Sequence, residues 1–273
     1  MQLEDHVGDI IRKARSCARQ SASAAASAVA VSEAVYARFE SSGQGMTAEQ
    51  LMVLSKLTDL DAAKLLRIAA GWLPRRHATT NWGTLRMITS NEDDFAVNAF
   101  LIWDQESRQA ALFDTGFTIE PIQTTLEEHR LHLSLIAITH GHSDHVAKLD
   151  ELMRLHPDAE VVGAQRWSPD SILATGGERF RLGQLSIAVV NTPGHAGDGL
   201  SFVVTGWPDG QPAVAIIGDT LFAGSMGKAE SSWPLTKERI RSGILSLPDE
   251  TLLCPGHGPL TTVGEERANN PFF

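Results

Sequence analysis

Three histidines and one aspartate fall within six consecutive positions of this chain, directly after an apolar stretch. The apolar stretch LSLIAIT has the length and composition of a buried strand. The following VAKLDELMRL has the apolar spacing of an amphipathic helix. Side chains on a short loop between a strand and a helix are held in fixed positions, as a metal site requires. The four potential ligands on this loop are His140, His142, Asp144 and His145.

Three further potential ligands follow apolar strands later in the chain. His195 follows LSIAVVN, Asp219 follows AVAII, and His257 follows TLLC. Each has a glycine neighbour, which lets the backbone approach a ligand closely. Asp114, in LFDTG, also ends a strand, but we interpret it as a turn residue because aspartate before Thr-Gly is typical of turns. Seven ligands in total are consistent with a pair of metal ions.

The cysteine content restricts the ligand chemistry. The chain has two cysteines, Cys17 and Cys254, which are far apart and not in a CxxC spacing. The sequence therefore predicts neither a disulfide framework nor a thiolate zinc site. Histidine and aspartate accommodate zinc, iron and manganese alike. We expect two divalent ions, with zinc preferred over iron or manganese.

The charge of the chain is unevenly distributed. Residues 1–77 carry 10 Lys or Arg and 8 Asp or Glu, whereas residues 78–273 carry 13 and 25. Such an acidic body lacks the clustered cations that bind nucleic-acid phosphates. The first residues, MQLEDHVGDII, contain acids where a signal peptide is basic, and no apolar run approaches the roughly 20 residues of a membrane span. We expect a cytoplasmic protein without a membrane partner that acts on a small molecule.

The chain divides into two regions of different character. Residues 8–70 consist almost entirely of helix-forming sequence, and Thr47 and Gln50 form a capping box at the start of one helix. A linker with the sequence WLPRRHATTNWG follows, and beyond it short apolar strands alternate with helices. The sequence therefore predicts an all-α domain over residues 1–77 and an α/β domain over residues 78–273.

The motifs of the second region resemble the metallo-β-lactamase fold superfamily. They are HxHxDH, PGH, GDTLF and PGHG, in that order, and the resemblance covers about residues 82–273, including the terminal EERANNPFF. It implies an αββα sandwich. It also implies that His140, His142 and His195 bind one metal, that Asp144, His145 and His257 bind the second, and that Asp219 bridges them.

A pair of ions predicts hydrolysis. A water molecule shared between two ions loses a proton near neutral pH and becomes a bridging hydroxide, and the ions stabilise the oxyanion that forms. We expect Asp144 and Asp219 to be catalytic, with Asp144 orienting the hydroxide. β-Lactamase activity is disfavoured, because those enzymes usually carry cysteine where this chain has Asp219.

The string GDTLFAGSMGK is most similar to glyoxalase II and its short relatives, which hydrolyse glutathione thioesters. Lys228 occupies the position where that group has a basic residue in contact with glutathione, and a cation there can pair with a substrate carboxylate. A small anionic thioester or ester is therefore the expected substrate. The alternative is a persulfide dioxygenase, a class that shares much of this pattern and uses one iron, here held by His140, His195 and Asp219.

Residues 7–45 resemble a helix-turn-helix of the Cro and C1 repressor type. In that alignment Ser21 begins the second helix and SEAVYARFE is the recognition helix. The positions that read bases hold Ala22, Glu33 and Ala34, which are poorly suited to base contacts. We favour a helical cap that forms a homodimer or covers the mouth of the active site, and a ligand-sensing, DNA-binding regulator is the alternative.

Overall fold

The chain is described by a computed structural model over residues 1–93, 95–229 and 232–273. Five helices come first: α1 Val7–Cys17, α2 Ala22–Ala28, α3 Glu33–Ser42, α4 Ala48–Leu57 and α5 Ala62–Ala69. Helices α2 to α5 each follow a residue whose side-chain oxygen accepts a hydrogen bond from the third backbone N–H of the helix, which fixes where each helix begins. The predicted capping box of Thr47 and Gln50 is confirmed.

Two six-stranded sheets form the rest of the fold. The first contains β1 Leu85–Glu92, β2 Phe95–Trp103, β3 Gln109–Phe113, β4 His132–Ala137, β5 Glu160–Gly163 and β6 Ile172–Leu173, in that order. The second contains β7 Arg179–Leu182, β8 Leu185–Asn191, β9 Leu200–Thr205, β10 Val214–Gly218, β11 Leu252–Pro255 and β12 Thr261–Thr262, also in chain order. The remaining α-helices are α6 Glu120–Glu128, α7 Ser143–Val146, α8 Leu149–Leu155, α9 Trp233–Gly243 and α10 Val263–Asn269, and two short 3-10 helices span Thr79–Trp82 and Pro208–Gly210.

The sheets pack face to face across a buried apolar layer. Phe100 and Phe113 of the first sheet and Phe202 of the second belong to this layer. Helices α6 and α8 cover the outer face of the first sheet, and α9 covers the outer face of the second. The αββα fold predicted from the sequence is therefore confirmed.

The N-terminal helices share an apolar core with the outer face of the second sheet. Ile10 of α1 and Leu65 of α5 are fully buried in the same cluster as Ile217 and Leu253. Polar contacts reinforce the junction, because the Lys64 ammonium donates to the carbonyl of Arg267 at 2.7 Å. The helical segment is therefore docked on the second sheet. No described helix is both long and apolar enough to cross a bilayer.

The helix predicted after the first ligand loop is interrupted. Val146, its first predicted residue, ends α7, residues 147–148 are not helical, and α8 begins at Leu149. Asp144 and His145, predicted to lie on the loop, belong to α7. The carbonyl of His145, which would accept from Leu149 in a continuous helix, instead accepts from the backbone N–H of Thr115 at 2.8 Å. The Thr115 hydroxyl oxygen also accepts from the backbone N–H of Lys148 at 3.0 Å. Thr115 therefore ends α7 and fixes the backbone that carries His145.

Candidate metal centre

The structure brings all seven predicted ligands to one edge of the sandwich. The first sheet contributes the residues that follow β4, some on the loop and some in α7: His140, His142, Asp144 and His145. The second sheet contributes the residues that follow β8, β10 and β11: His195, Asp219 and His257. The side chains meet because these strand ends lie at the same edge.

Three imidazole rings converge in a first group of His140, His142 and His195. Nδ1 of His142 lies 3.0 Å from Nε2 of His140 and 3.0 Å from Nε2 of His195. Tetrahedral zinc with bonds of about 2.0–2.1 Å places its nitrogen ligands about 3.3 Å apart. The three nitrogen atoms therefore have nearly the spacing that a single ion requires.

A second group contains Asp144, His145 and His257. Oδ2 of Asp144 lies 3.2 Å from Nε2 of His145 and 3.2 Å from Nε2 of His257. Asp219 faces both groups, since its Oδ2 lies 3.3 Å from Nε2 of His195 and 3.4 Å from Nε2 of His257. Its position between the groups suits a bridging carboxylate.

Two atoms of the candidate ligands indicate whether the seven side chains fit a metal. Nε2 of His145 and Oδ1 of Asp219 are buried and have no hydrogen-bond partner among the described residues. A buried polar atom without a partner costs free energy. Both atoms point toward the centre, 3.3 Å apart, and a metal ion would satisfy both. The donor set of five histidines and two aspartates fits two divalent ions.

The other ring nitrogen of several ligands is held by an oxygen acceptor. Nδ1 of His145 donates to the carboxylate of Asp114 at 2.7 Å. Nδ1 of His195 donates to the carbonyl of Lys228 at 3.2 Å, and Nδ1 of His257 donates to the carbonyl of Ala96. In the neutral ring, such contacts hold the proton on Nδ1, leave Nε2 free to bind a metal and fix the orientation of the ring.

Asp114 supports both groups of ligands. Its buried carboxylate also accepts from the backbone N–H of Thr139 at 2.8 Å and from the Thr139 hydroxyl at 2.7 Å. Because that hydroxyl donates to Asp114, its oxygen accepts from Nδ1 of His140, 3.0 Å away. The interpretation of Asp114 as a turn residue missed this role. The parallel pairing of β3 with β4 places Phe113 beside Ala137, so the residues after these strands meet.

Burial and neighbouring charges set the protonation state of the candidate ligands. Burial lowers the pKa of His140 to about 2, so this ring is neutral at physiological pH. Burial raises the pKa of Asp219, but His145 and His257 outweigh it and hold the pKa well below the usual range. Burial lowers the pKa of His257, but hydrogen bonds to Asp144 and Asp219 raise it to about 10. Metal binding at this histidine must therefore release a proton.

Lys228 contacts the candidate metal centre through its backbone. Its side chain is exposed, whereas its carbonyl accepts from His195. The side chain borders a cavity of about 610 Å³ whose walls include Arg19 and Cys17 of the helical segment and Trp233. Among the described residues that line the cavity there are two cations and no acid.

Comparison with known proteins identifies the family. A family profile described as the Metallo-beta-lactamase superfamily matches residues 93–169, which include the first ligand loop. Hydroxyacylglutathione hydrolase GloC of Haemophilus influenzae is 30% identical over 205 residues, which are 66% of this chain and 93% of that protein. The chain belongs to the metallo-beta-lactamase superfamily.

Solved structures resemble this superfamily member in fold. ETHE1 from Myxococcus xanthus has a TM-score of 0.59 and 27% identity, over 68% of this chain and 83% of that protein. TTHA1623, in a di-iron-bound form, has a TM-score of 0.56 and 27% identity, over 69% of this chain and 100% of that protein. Members of the superfamily use divalent metals, and the histidine and aspartate groups described above are the candidate ligands here.

Proposed function

We propose that this protein is a dinuclear metal-dependent hydrolase of small anionic thioesters or esters, similar to hydroxyacylglutathione hydrolases. The observation that supports a dinuclear centre best is the second group of ligands. Asp144, His145 and His257 converge as closely as the first group does, and Asp219 lies between the two. A single ion held by His140, His195 and Asp219 would leave these three side chains without a metal to bind.

Two divalent ions held by the seven ligands would supply a water molecule of lowered pKa and positive charge for an oxyanion. Burial raises the pKa of Asp144, but the neighbouring His145 and His257 outweigh this effect and hold the pKa well below its usual range. Asp144 is therefore an ionised acceptor at neutral pH. Its side chain is 13% exposed, so it can also accept a hydrogen bond from the attacking water and orient it.

The cavity beside Lys228 supports an anionic substrate. Arg19 and Lys228 both border it, although the chain as a whole has a net charge of -10. The backbone of Lys228 contacts the ligand His195, so the cavity begins next to the reacting centre. We propose that the Lys228 ammonium binds a carboxylate of the substrate while the thioester or ester carbonyl lies at the metal centre.

A mononuclear iron dioxygenase that acts on persulfides is the second candidate. It would use His140, His195 and Asp219, and the distance of 3.3 Å between Nε2 of His195 and Oδ2 of Asp219 suits such a site. In that enzyme Asp144, His145 and His257 would have no metal to bind. The number of metals per chain therefore separates the two candidates.

The test combines metal analysis with turnover. We expect close to two metals per chain and cleavage of S-lactoylglutathione. A His257→Ala variant should lose one metal equivalent and most of its activity. The control, His156→Ala, removes a histidine that contacts Gln123 outside the centre and should change neither. One iron per chain, with oxygen uptake on glutathione persulfide, would overturn the proposal.

We propose that the helical segment is a cap that can form a homodimer. We do not propose that it reads DNA. The docking of α1 and α5 on the second sheet supports this proposal, as does the exposed Glu33 at the start of α3, which would repel phosphates. Binding of the full chain to a defined DNA duplex, with affinity that falls steeply as salt rises, would contradict it.

A further inference from the structure

We propose that the N-terminal helical segment is a positioning element of the metal centre, which acts through Asp5 and Lys13 on the loop Phe222–Lys228. This loop, the 222–228 loop, follows the ligand Asp219 and contacts both groups of ligands. The Phe222 ring lies 5.9 Å from the His257 ring. At the other end of the loop, the Lys228 carbonyl orients His195.

The end of the 222–228 loop has no space to move toward the ligands. A Cβ atom on Gly227 would lie 2.0 Å from the backbone oxygen of Asp219 and 2.9 Å from Cβ of His195. Backbone at Gly227 is thus in direct contact with two ligand residues. A displacement of this loop would therefore change the position of the His195 ring.

The N-terminal segment contacts the loop through Lys13 and Asp5. The Lys13 ammonium donates to the Met226 carbonyl at 3.1 Å and pairs with the carboxylate of Asp5. The same carboxylate accepts from the Ser225 hydroxyl, and the Lys13 ammonium lies 5.0 Å from the centre of the Phe222 ring. Three contacts, to Phe222, Ser225 and Met226, therefore connect this segment to the loop.

The ion pair is rigid because it is buried. Side chains of Lys13 and Asp5 are 15% and 8% exposed, and removal of one partner from such a pair leaves an uncompensated charge. Helix α1 cannot shift easily to compensate, since Ile10 and Ile11 are fully buried in the shared core. The position of the Met226 carbonyl is therefore set by the helical segment.

A second support comes from the C-terminal segment and can be separated by mutation. Asn270 donates to the Ser225 carbonyl at 2.7 Å, and Glu266 accepts from the backbone N–H of Gly224 at 3.0 Å. These contacts hold the first half of the loop. Of the contacts described here, only the one from Lys13 reaches Met226, two residues before the carbonyl that orients His195.

The experiment measures metal binding by the metal-free full chain without substrate. We would titrate Lys13→Met with cobalt(II), record the ligand-field absorption, and determine zinc affinities by competition with a chromophoric chelator. Loss of a partner that orients a metal ligand typically weakens binding about 10- to 100-fold. Because Lys13 acts through one further contact, we expect about tenfold for one metal equivalent, together with a changed cobalt spectrum. Lys13→Arg should restore part of both.

The matched control is Lys56→Met, which removes an exposed lysine of α4 and should leave both affinities unchanged. If Lys13→Met does not fold, the same titrations are made with the double variant Asp5→Asn and Lys13→Met, because it leaves no buried charge unpaired. Two zinc affinities within twofold of the wild type in a folded variant, with an unchanged cobalt spectrum, would overturn the inference. The measurement needs no turnover, so failure of the proposed hydrolase activity would not affect it.

Discussion

Replacement of Asp114 with asparagine keeps the shape of the side chain and removes one acceptor. The carboxylate accepts from the backbone N–H and hydroxyl of Thr139 and from Nδ1 of His145. An asparagine has one acceptor oxygen, so its NH₂ group must face at least one of these donors. If it faces His145, the ring must carry its proton on Nε2, the atom that faces the metal. Asparagine tolerates the φ of 56° at this position, so the backbone gains no strain.

The size of the effect follows from the burial of Asp114. The residue is 1% exposed, so solvent does not screen the lost interaction. A hydrogen bond to a charged group contributes about 1.5–3 kcal/mol net, which corresponds to about 10- to 100-fold in binding, since about 1.4 kcal/mol is tenfold. We expect Asp114→Asn to weaken by this factor the metal equivalent that His145 binds. A smaller loss is expected at the other, through Thr139 and His140.

The assay is competition between metal-free protein and a chromophoric chelator for zinc, with both binding steps resolved. Asp104→Asn is the control, since Asp104 is also buried and accepts from a backbone N–H, that of Ser107. It should lose thermal stability without loss of metal affinity. The reasoning is refuted if folded Asp114→Asn binds both zinc ions as the wild type does, or if Asp104→Asn shows the same loss of affinity.

Three further predictions concern catalysis, packing and pH. Asp144→Asn should lower kcat for thioester hydrolysis by about 100-fold or more at saturating zinc, because a neutral side chain both binds metal and orients water less well; unchanged kcat would contradict this role. Gly227→Ala should abolish binding of at least one zinc ion, since its Cβ would lie 2.0 Å from a backbone oxygen, whereas Gly197→Ala meets no atom within 4 Å and should bind both; equal affinities in the two variants would exclude the clash. Burial raises the pKa of Glu266 from 4.5 to about 7. A carboxyl group whose pKa is raised in the folded state stabilises that state fully below pH 4.5, and this stability is lost as the pH rises through about 7. The free energy of unfolding should fall by about 3 kcal/mol in total. Urea unfolding of the metal-free protein at pH 4.5 and pH 8 should show this loss, and Glu266→Gln should lack it; an equal pH dependence in both proteins would contradict the assignment.

The positions of the candidate ligands in the fold could be predicted because they depend on local sequence. His195, Asp219 and His257 each follow an apolar run that forms a buried strand, and the ends of adjacent strands meet at one edge of a sheet. The alternation of strands and helices predicted an α/β domain, and the resemblance of the motifs to the superfamily implied the αββα arrangement. The candidate ligands required only the pattern of apolar residues, whereas the αββα arrangement also required the resemblance.

Contacts between distant segments could not be predicted. The role of Asp114 depends on the pairing of β3 with β4, and the strand pattern alone does not specify which strands are neighbours. The contact of Lys13 with Met226 joins residues 213 positions apart, and it exists only because α1 docks on the second sheet. Likewise, the break between α7 and α8 is caused by Thr115, which lies outside the helical sequence.

The division of the ligands between the two sheets has a consequence for the life of the protein in a cell. An ion held by ligands from both sheets would act as a cross-link across the open edge of the sandwich, and the unfolded chain does not bring the ligands of the two sheets together. Free metal at 100 times its dissociation constant therefore adds about 2.7 kcal/mol of stability. Chains made during metal starvation would unfold and be degraded more often, so that the amount of the protein would follow the metal supply.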